Sequence, residues 1–151
     1  MTPSQASALQ DCLIAFAARS EGLRAMAVCG SWARGSARPD SDLDVLMLAR
    51  EPQRWIAAPH PWLTHMGLTE AGFTMARVRI ARYGVVTSLH CELRPTALLE
   101  LSVAPEDWAN VNPIDPGTRR VVSDGFRVLV DKDGALRALV AAIGAATNGP
   151  L

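Results

Sequence analysis

The sequence predicts an α/β (α+β) fold, with one domain over residues 1–151 built on a mixed β-sheet with flanking helices. Three observations point there. A chain of 151 residues suits one compact domain with a sizeable core, and its 49% hydrophobic and 20% charged shares fit a globular protein. Helical and strand periodicities alternate early in the chain, then give way to a run of strands and a final helix. No internal repeat, low-complexity tract or long linker interrupts that order.

Leu9, Cys12, Leu13, Phe16 and Ala17 recur at i, i+3, i+4, i+7 and i+8, which predicts an amphipathic helix over 4–20 with Ser4 as its N-cap. Gly22 ends it, and LRAMAVC at 23–29 reads as a buried strand. A Gly-Ser turn and a short Arg-bearing helix follow, then a second apolar strand running to Leu48. Pro52, Pro59 and Pro61 break the next segment, so a short helix around 53–57 and irregular chain beyond it are expected. GFTMARVRI and VVTSLHCEL, separated by residues 81–84, read as antiparallel strands. A turn at 94–97 leads into LLELSV at 98–103, completing a three-stranded meander. Then come a helical turn at 106–110, a short helix at 117–124 closed by Gly125, and a last strand at 127–130. Leu136, Leu139, Val140 and Ile143 repeat at helical spacing behind an Asp133 cap, and the tail TNGPL is expected to fray.

Fifteen basic residues balance fifteen acidic ones, so no global field draws in nucleic acid or an anionic membrane, and any polyanion must be held locally. Cys12, Cys29 and Cys91 sit in apolar runs without CxxC pairing, and the odd number argues against a disulfide framework. The first residues lack a basic region and carry Asp11 among the apolar ones, unlike a signal peptide, and no apolar run reaches membrane-spanning length. A cytoplasmic protein without a membrane partner is expected.

The chemistry concentrates in Gly30 to Leu48, GSWARGSARPDSDLDVLML. Glycine at 30 lets backbone approach a phosphate, and Ser31 offers a hydroxyl and an amide at a helix start. Asp42 and Asp44 lie one residue apart at the head of a strand. Side chains at i and i+2 of a strand face the same way, about 6.5 Å apart along the chain, so both carboxylates can converge on one hard cation such as Mg²⁺.

Gly30-Ser31, Arg34-Gly35 and Ser41-Asp42-Leu43-Asp44-Val45 together resemble, in order and spacing, the signature of the DNA polymerase β-like nucleotidyltransferase superfamily, in particular its minimal and antibiotic-type members. The resemblance implies the polymerase β-like nucleotidyltransferase fold, a nucleoside triphosphate donor and two Mg²⁺ ions. It also implies a third acid on a later strand. Glu100, central in the apolar LLELSV, fits that place because an unpaired carboxylate there is costly to bury; Glu92 in LHCEL is the alternative. The third acid would hold the second metal or act as base toward the acceptor.

Other residues have everyday readings beside the functional ones. Arg34 either neutralises phosphate charge or pairs with an acid and braces the loop, and Ser41 fits a local hydrogen bond to backbone at the start of the metal strand. Asp40 reads as a solvated turn residue beside Pro39. His60, His65 and His90 lack zinc-ligand spacing, and Trp55, Trp62 and Trp108 read as anchors of irregular segments, whereas Trp32 lies inside the phosphate motif. Arg77, Arg79 and Arg82 read first as a solvated strand face and second as phosphate contacts.

The expectation is therefore a Mg²⁺-dependent enzyme that moves a nucleoside monophosphate, AMP from ATP, onto a hydroxyl acceptor with release of pyrophosphate. A small molecule, a protein side chain and a tRNA end are all open as acceptors. No acceptor domain is apparent in the sequence, so a second copy or a protein partner is expected to complete the site. The competing class is a non-catalytic antitoxin-like or nucleotide-sensing protein that keeps the fold.

Overall fold

The computed structural model describes residues 1–147. Six strands form one mixed sheet: β1 Leu23–Cys29, β2 Leu43–Ala49, β3 Thr74–Tyr83, β4 Val86–Arg94, β5 Ala97–Pro105 and β6 Phe126–Asp131. Their spatial order is β3-β4-β5-β2-β1-β6. The β2–β5 pair is parallel and the other four pairings are antiparallel. The helices are α1 Pro3–Ala18, α2 Ser31–Arg34, α3 Pro52–Ile56, α4 Pro59–Thr64, α5 Pro116–Ser123 and α6 Ala135–Thr147, with a 3₁₀ turn at Glu106–Ala109. The α+β fold and the meander β3-β4-β5 are as expected from the sequence. The frayed tail expected from Thr147 falls, from residue 148 on, outside the described residues, as does the side chain of His60.

Two apolar layers clamp the centre of the sheet. Leu43, Val45, Met47, Leu99, Leu101 and Val103 pack toward α1, α3 and α4 in one cluster. Ala25, Ala27, Leu46, Leu48 and Ala104 face Trp108, Leu136, Leu139 and Ile143 in the other. β1 and β2 are thus buried on both sides, which is why they read as unbroken apolar runs rather than alternating ones. On the second side the β3–β4 end is more open: Arg77, Arg79, Tyr83, Glu92 and Leu98 are all exposed.

Several local expectations are corrected. Helix α1 starts earlier, with Thr2 and not Ser4 as its N-cap. The Thr2 hydroxyl accepts from Gln5 N (3.1 Å) and the Gln5 side chain accepts from Thr2 N (2.8 Å), while Pro3 occupies the first turn where no amide is needed. The segment beyond residue 57 is not irregular. Pro59 and Pro61 lie in the first turn of α4, where their missing N–H groups cost nothing, and Trp62 stacks on Phe16 with ring centroids 5.7 Å apart. Pairing of β3 with β4 runs on to Tyr83 and Val86, which shortens the loop to Gly84-Val85, with Gly84 at φ +64°.

The cap of α6 is Asp131, not Asp133. The Asp131 carboxylate accepts from Leu136 N (3.2 Å) and Arg137 N (2.9 Å), whereas Asp133 is taken by a two-pronged pair with Arg24 (2.7 and 2.8 Å). Asp131→Ala is expected to destabilise the protein by about 1 kcal/mol through the lost cap, and Asp133→Ala by less, since it breaks a half-exposed surface pair. Urea melts of the two variants check the order.

Candidate active site

The site forms where β1 ends and β2 begins. Their pairing sets Cys29 opposite Asp44, and the parallel register of β2 with β5 sets Asp44 beside Glu100. His90 on β4 is next, directly opposite Glu100. A lateral row therefore crosses four strands, Cys29, Asp44, Glu100 and His90, with all four side chains on one face of the sheet.

Asp42 immediately precedes β2 and points the same way as Asp44. One carboxylate oxygen each from Asp42, Asp44 and Glu100 lie within 4.8 Å of one another. Glu92 is set opposite Leu98, not Glu100, and stands outside this cluster while lining the same cleft. Of the two strand acids considered from sequence, Glu100 is the one brought to the aspartates. Asp44 Oδ1 is buried without a hydrogen-bond partner, as is His90 Nε2, which stands 3.5 Å from Glu100 Oε1 without hydrogen-bonding geometry. An orphaned buried polar atom costs about 1–3 kcal/mol, a penalty that a bound cation would remove.

Gly30 makes the turn beside this cluster. It has φ +70°, and a Cβ there would stand 3.5 Å from Asp44 Oδ2, so the position brings bare backbone against the acids. Helix α2 is one turn of four residues, so what it presents at its start is the first-turn amides of Ser31 and Trp32 rather than a long-helix dipole. The Ala33 and Arg34 amides both go to Gly30 O (3.0 Å).

The loop is braced from three sides. Gly30 N donates to Gly125 O (2.9 Å), and Arg34 pairs with the Asp124 carboxylate (3.0 Å) and donates to its carbonyl, which is the bracing role among the two considered for it. Ser41 Oγ accepts from Arg38 N (2.8 Å), the local backbone bond expected of it, and Trp32 Nε1 reaches Ser41 O at 3.5 Å. The Met1 amino group donates to Pro39 O. Trp55, Trp62 and Trp108 are packed against core aromatic rings, as their anchoring role predicts.

Two residues escaped sequence reasoning. His90 looked like an ordinary histidine, because cross-strand neighbours depend on register. Gly125 looked like a helix terminator only. It has φ +128°, and a Cβ there would lie 2.6 Å from Arg34 Cγ and 2.8 Å from Gly30 O. Gly125→Ala is accordingly expected to cost about 1–3 kcal/mol, readable in urea melts, because both the backbone angle and the Gly30 contact must shift.

Two clefts meet at Glu100. One of about 290 Å³ is lined by Asp42, Arg77, Arg79, His90 and Glu92, and one of about 830 Å³ runs past Ser88, Ser102, Trp108, Thr118 and Arg120. Glu100 lines both. A groove of about 740 Å³ between α1 and residues 64–71 contains none of the three acids.

Burial first, then a proton shared with Glu100, then repulsion from Glu100 and Asp42 push the Asp44 carboxyl up to about 8. Burial pushes the Cys29 and Cys91 thiols up to about 12, so neither is a thiolate nucleophile near neutrality. Because the folded Asp44 holds a proton that the unfolded chain releases near pH 4, the metal-free protein is expected to lose stability as pH rises from about 4 to about 8. Asp44→Asn flattens that slope. Melting curves in EDTA across this range check it, and identical slopes for both proteins would rule it out.

Among the described residues, no helix is long and apolar enough to cross a membrane. A search of the curated proteins finds no match. The nucleotidyltransferase domain family matches residues 13–129, a span that starts within α1, ends within β6 and takes in the Gly30 turn, all three converging acids and the Gly125 brace. With more than half of its residues in that match and the expected sheet beneath them, the chain belongs to the nucleotidyltransferase domain family.

Proposed function

We propose that the protein is a Mg²⁺-dependent nucleotidyltransferase that transfers a nucleoside monophosphate, AMP from ATP, to a hydroxyl acceptor and releases pyrophosphate. The observation that carries this reading is the convergence of Asp42, Asp44 and Glu100 beside a glycine turn whose Cβ position faces the Asp44 carboxylate. Three oxygens from carboxylates suit a hard divalent cation, and the orphaned Asp44 Oδ1 supplies a free lone pair for it. Asp42, Asp44 and Glu100 would hold one or two such ions, which supply charge neutralisation around the α-phosphate.

The chain's own groups divide the remaining work. Gly30 and Ser31 bind the triphosphate through backbone and hydroxyl, with Arg34 and Ser41 keeping that turn in place through Asp124 and the Arg38 amide. The larger cleft has room for the nucleoside. Glu100 serves the acceptor side: the acceptor oxygen forms a bond to the α-phosphorus as the bond to pyrophosphate breaks, and the hydroxyl proton leaves toward the Glu100 carboxylate.

Calorimetric titration of ATP in Mg²⁺, paired with transfer of label from α-labelled ATP, tests the reading. Asp42→Asn/Asp44→Asn is expected to weaken binding and abolish transfer. Glu100→Gln is expected to keep most of the binding while lowering kcat by about 100-fold or more, the usual scale for a lost general base. ATP binding without transfer to any acceptor favours the nucleotide-sensing alternative, and equal binding by wild type and the double Asn variant sinks the metal-site assignment.

A further inference from the structure

We propose that the acceptor hydroxyl belongs to a phosphorylated compound, whose phosphate is held by Arg77 and Arg79 on the opposite side of the acid cluster from the Gly30 turn. The proposal rests on the nucleotidyltransferase reading and adds the chemical class of the second substrate.

Register places the arginines. Arg79 stands opposite His90, which stands opposite Glu100, and Arg77 stands opposite Glu92. Both arginines therefore share a face of the sheet with the acids, and both line the cleft of about 290 Å³ that contains Asp42 and Glu100. Arg82, an odd number of residues from each, points to the other face. Neither Arg77 nor Arg79 has an ion pair or a side-chain hydrogen bond among the described residues, even with Glu92 across the strand from Arg77. Two uncommitted guanidinium groups thus face a concave site in which a substrate must sit.

Topology decides which substrate. Adjacent strands are about 4.8 Å apart, so β3 lies about 14 Å from β2 and about 19 Å from β1, where the Gly30 turn begins. In-line displacement puts the incoming oxygen and the leaving pyrophosphate on opposite sides of the α-phosphorus. With pyrophosphate directed to the Gly30 turn at the end of β1, the acceptor approaches from β5, β4 and β3. Arg77 and Arg79 then lie on the acceptor's path and out of reach of the phosphates on Ser31.

Charge agrees. Asp42, Glu92 and Glu100 alone outweigh the two arginines in this cleft, but one divalent cation on the acids reverses the sign of its lining. The loaded cleft favours an anion, and a planar guanidinium fork matches phosphate oxygens two at a time. The same chemistry is offered by a phosphodiester strand ending in a free hydroxyl and by a free sugar phosphate.

Binding in Mg²⁺ without nucleotide tests the proposal independently of turnover. The probes are a fluorescent single-stranded oligoribonucleotide with a free 3′-hydroxyl, followed by anisotropy, and ribose 5-phosphate, followed by calorimetry, with ribose as the uncharged reference. Wild type is expected to bind at least one phosphate probe and not ribose, and the probe that binds identifies strand or sugar phosphate as the source. Arg77→Gln/Arg79→Gln is expected to weaken that binding by about tenfold or more, the scale of a lost charge-assisted contact, while Arg82→Gln leaves it unchanged. Binding of neither probe by wild type, or equal binding by the double variant, overturns the proposal. Affinity for ATP in Mg²⁺, measured on the same proteins, separates the two readings: its absence in wild type defeats the nucleotidyltransferase assignment, and its loss only in the arginine double variant moves the pair to the donor and also overturns the proposal.

Discussion

Three carboxylates are pressed together at the seam between β2 and β5, and their mutual repulsion and burial are the constraint around which the structure is arranged. Such a cluster survives only if the backbone carrying it is over-determined. The parallel β2–β5 pair lies at the middle of the six strands and is packed on both faces, so Asp44 and Glu100 are fixed by two apolar layers. The penalty appears in the raised pKa of Asp44 and in its unpartnered Oδ1. The cost of assembling the acids is met by packing elsewhere, so the fold itself preorganises them.

The two sides of the cluster are built differently. Toward β1, backbone does the work: Gly30 closes against Asp44, Gly125 closes against Gly30, and Arg34 is tied to Asp124. The result is a rigid turn with little side-chain freedom. Toward β3 the sheet face is open and carries long polar side chains, with Arg77, Arg79 and Glu92 exposed. A wall of closely packed backbone thus stands on one side of the acids and an open face of long side chains on the other.

Much of this was readable from the linear order of residues. The GS, RG and SDLD pieces lie within nineteen residues, and their geometry is local: strand alternation alone aims Asp42 and Asp44 together. The apolar runs of β1 and β2 read as strands, the first of them buried. Caps and turns were less legible because competing residues stood within a few positions of each other. Thr2 won the cap of α1 over Ser4 because Pro3 fits the first turn. Asp131 won the cap of α6 over Asp133 because Arg24 engages the latter. The prolines at 59 and 61 read as breakers, yet their position at a helix start made them compatible with α4.

The sequence by itself determined the family motif, the two aspartates and the candidate strand for a third acid, since each depends on neighbours a few residues away. Only the tertiary structure brought Glu100 and not Glu92 to the aspartates, because both lie on the same face of adjacent strands and Glu92 stands two residues from the position opposite Glu100. It likewise brought His90 to Glu100, joined Gly125 to Gly30 across ninety-five positions, and turned Arg77 and Arg79 toward the acids but Arg82 away. Those relations depend on strand order and register, which are set by packing of the whole sheet rather than by any local stretch of chain.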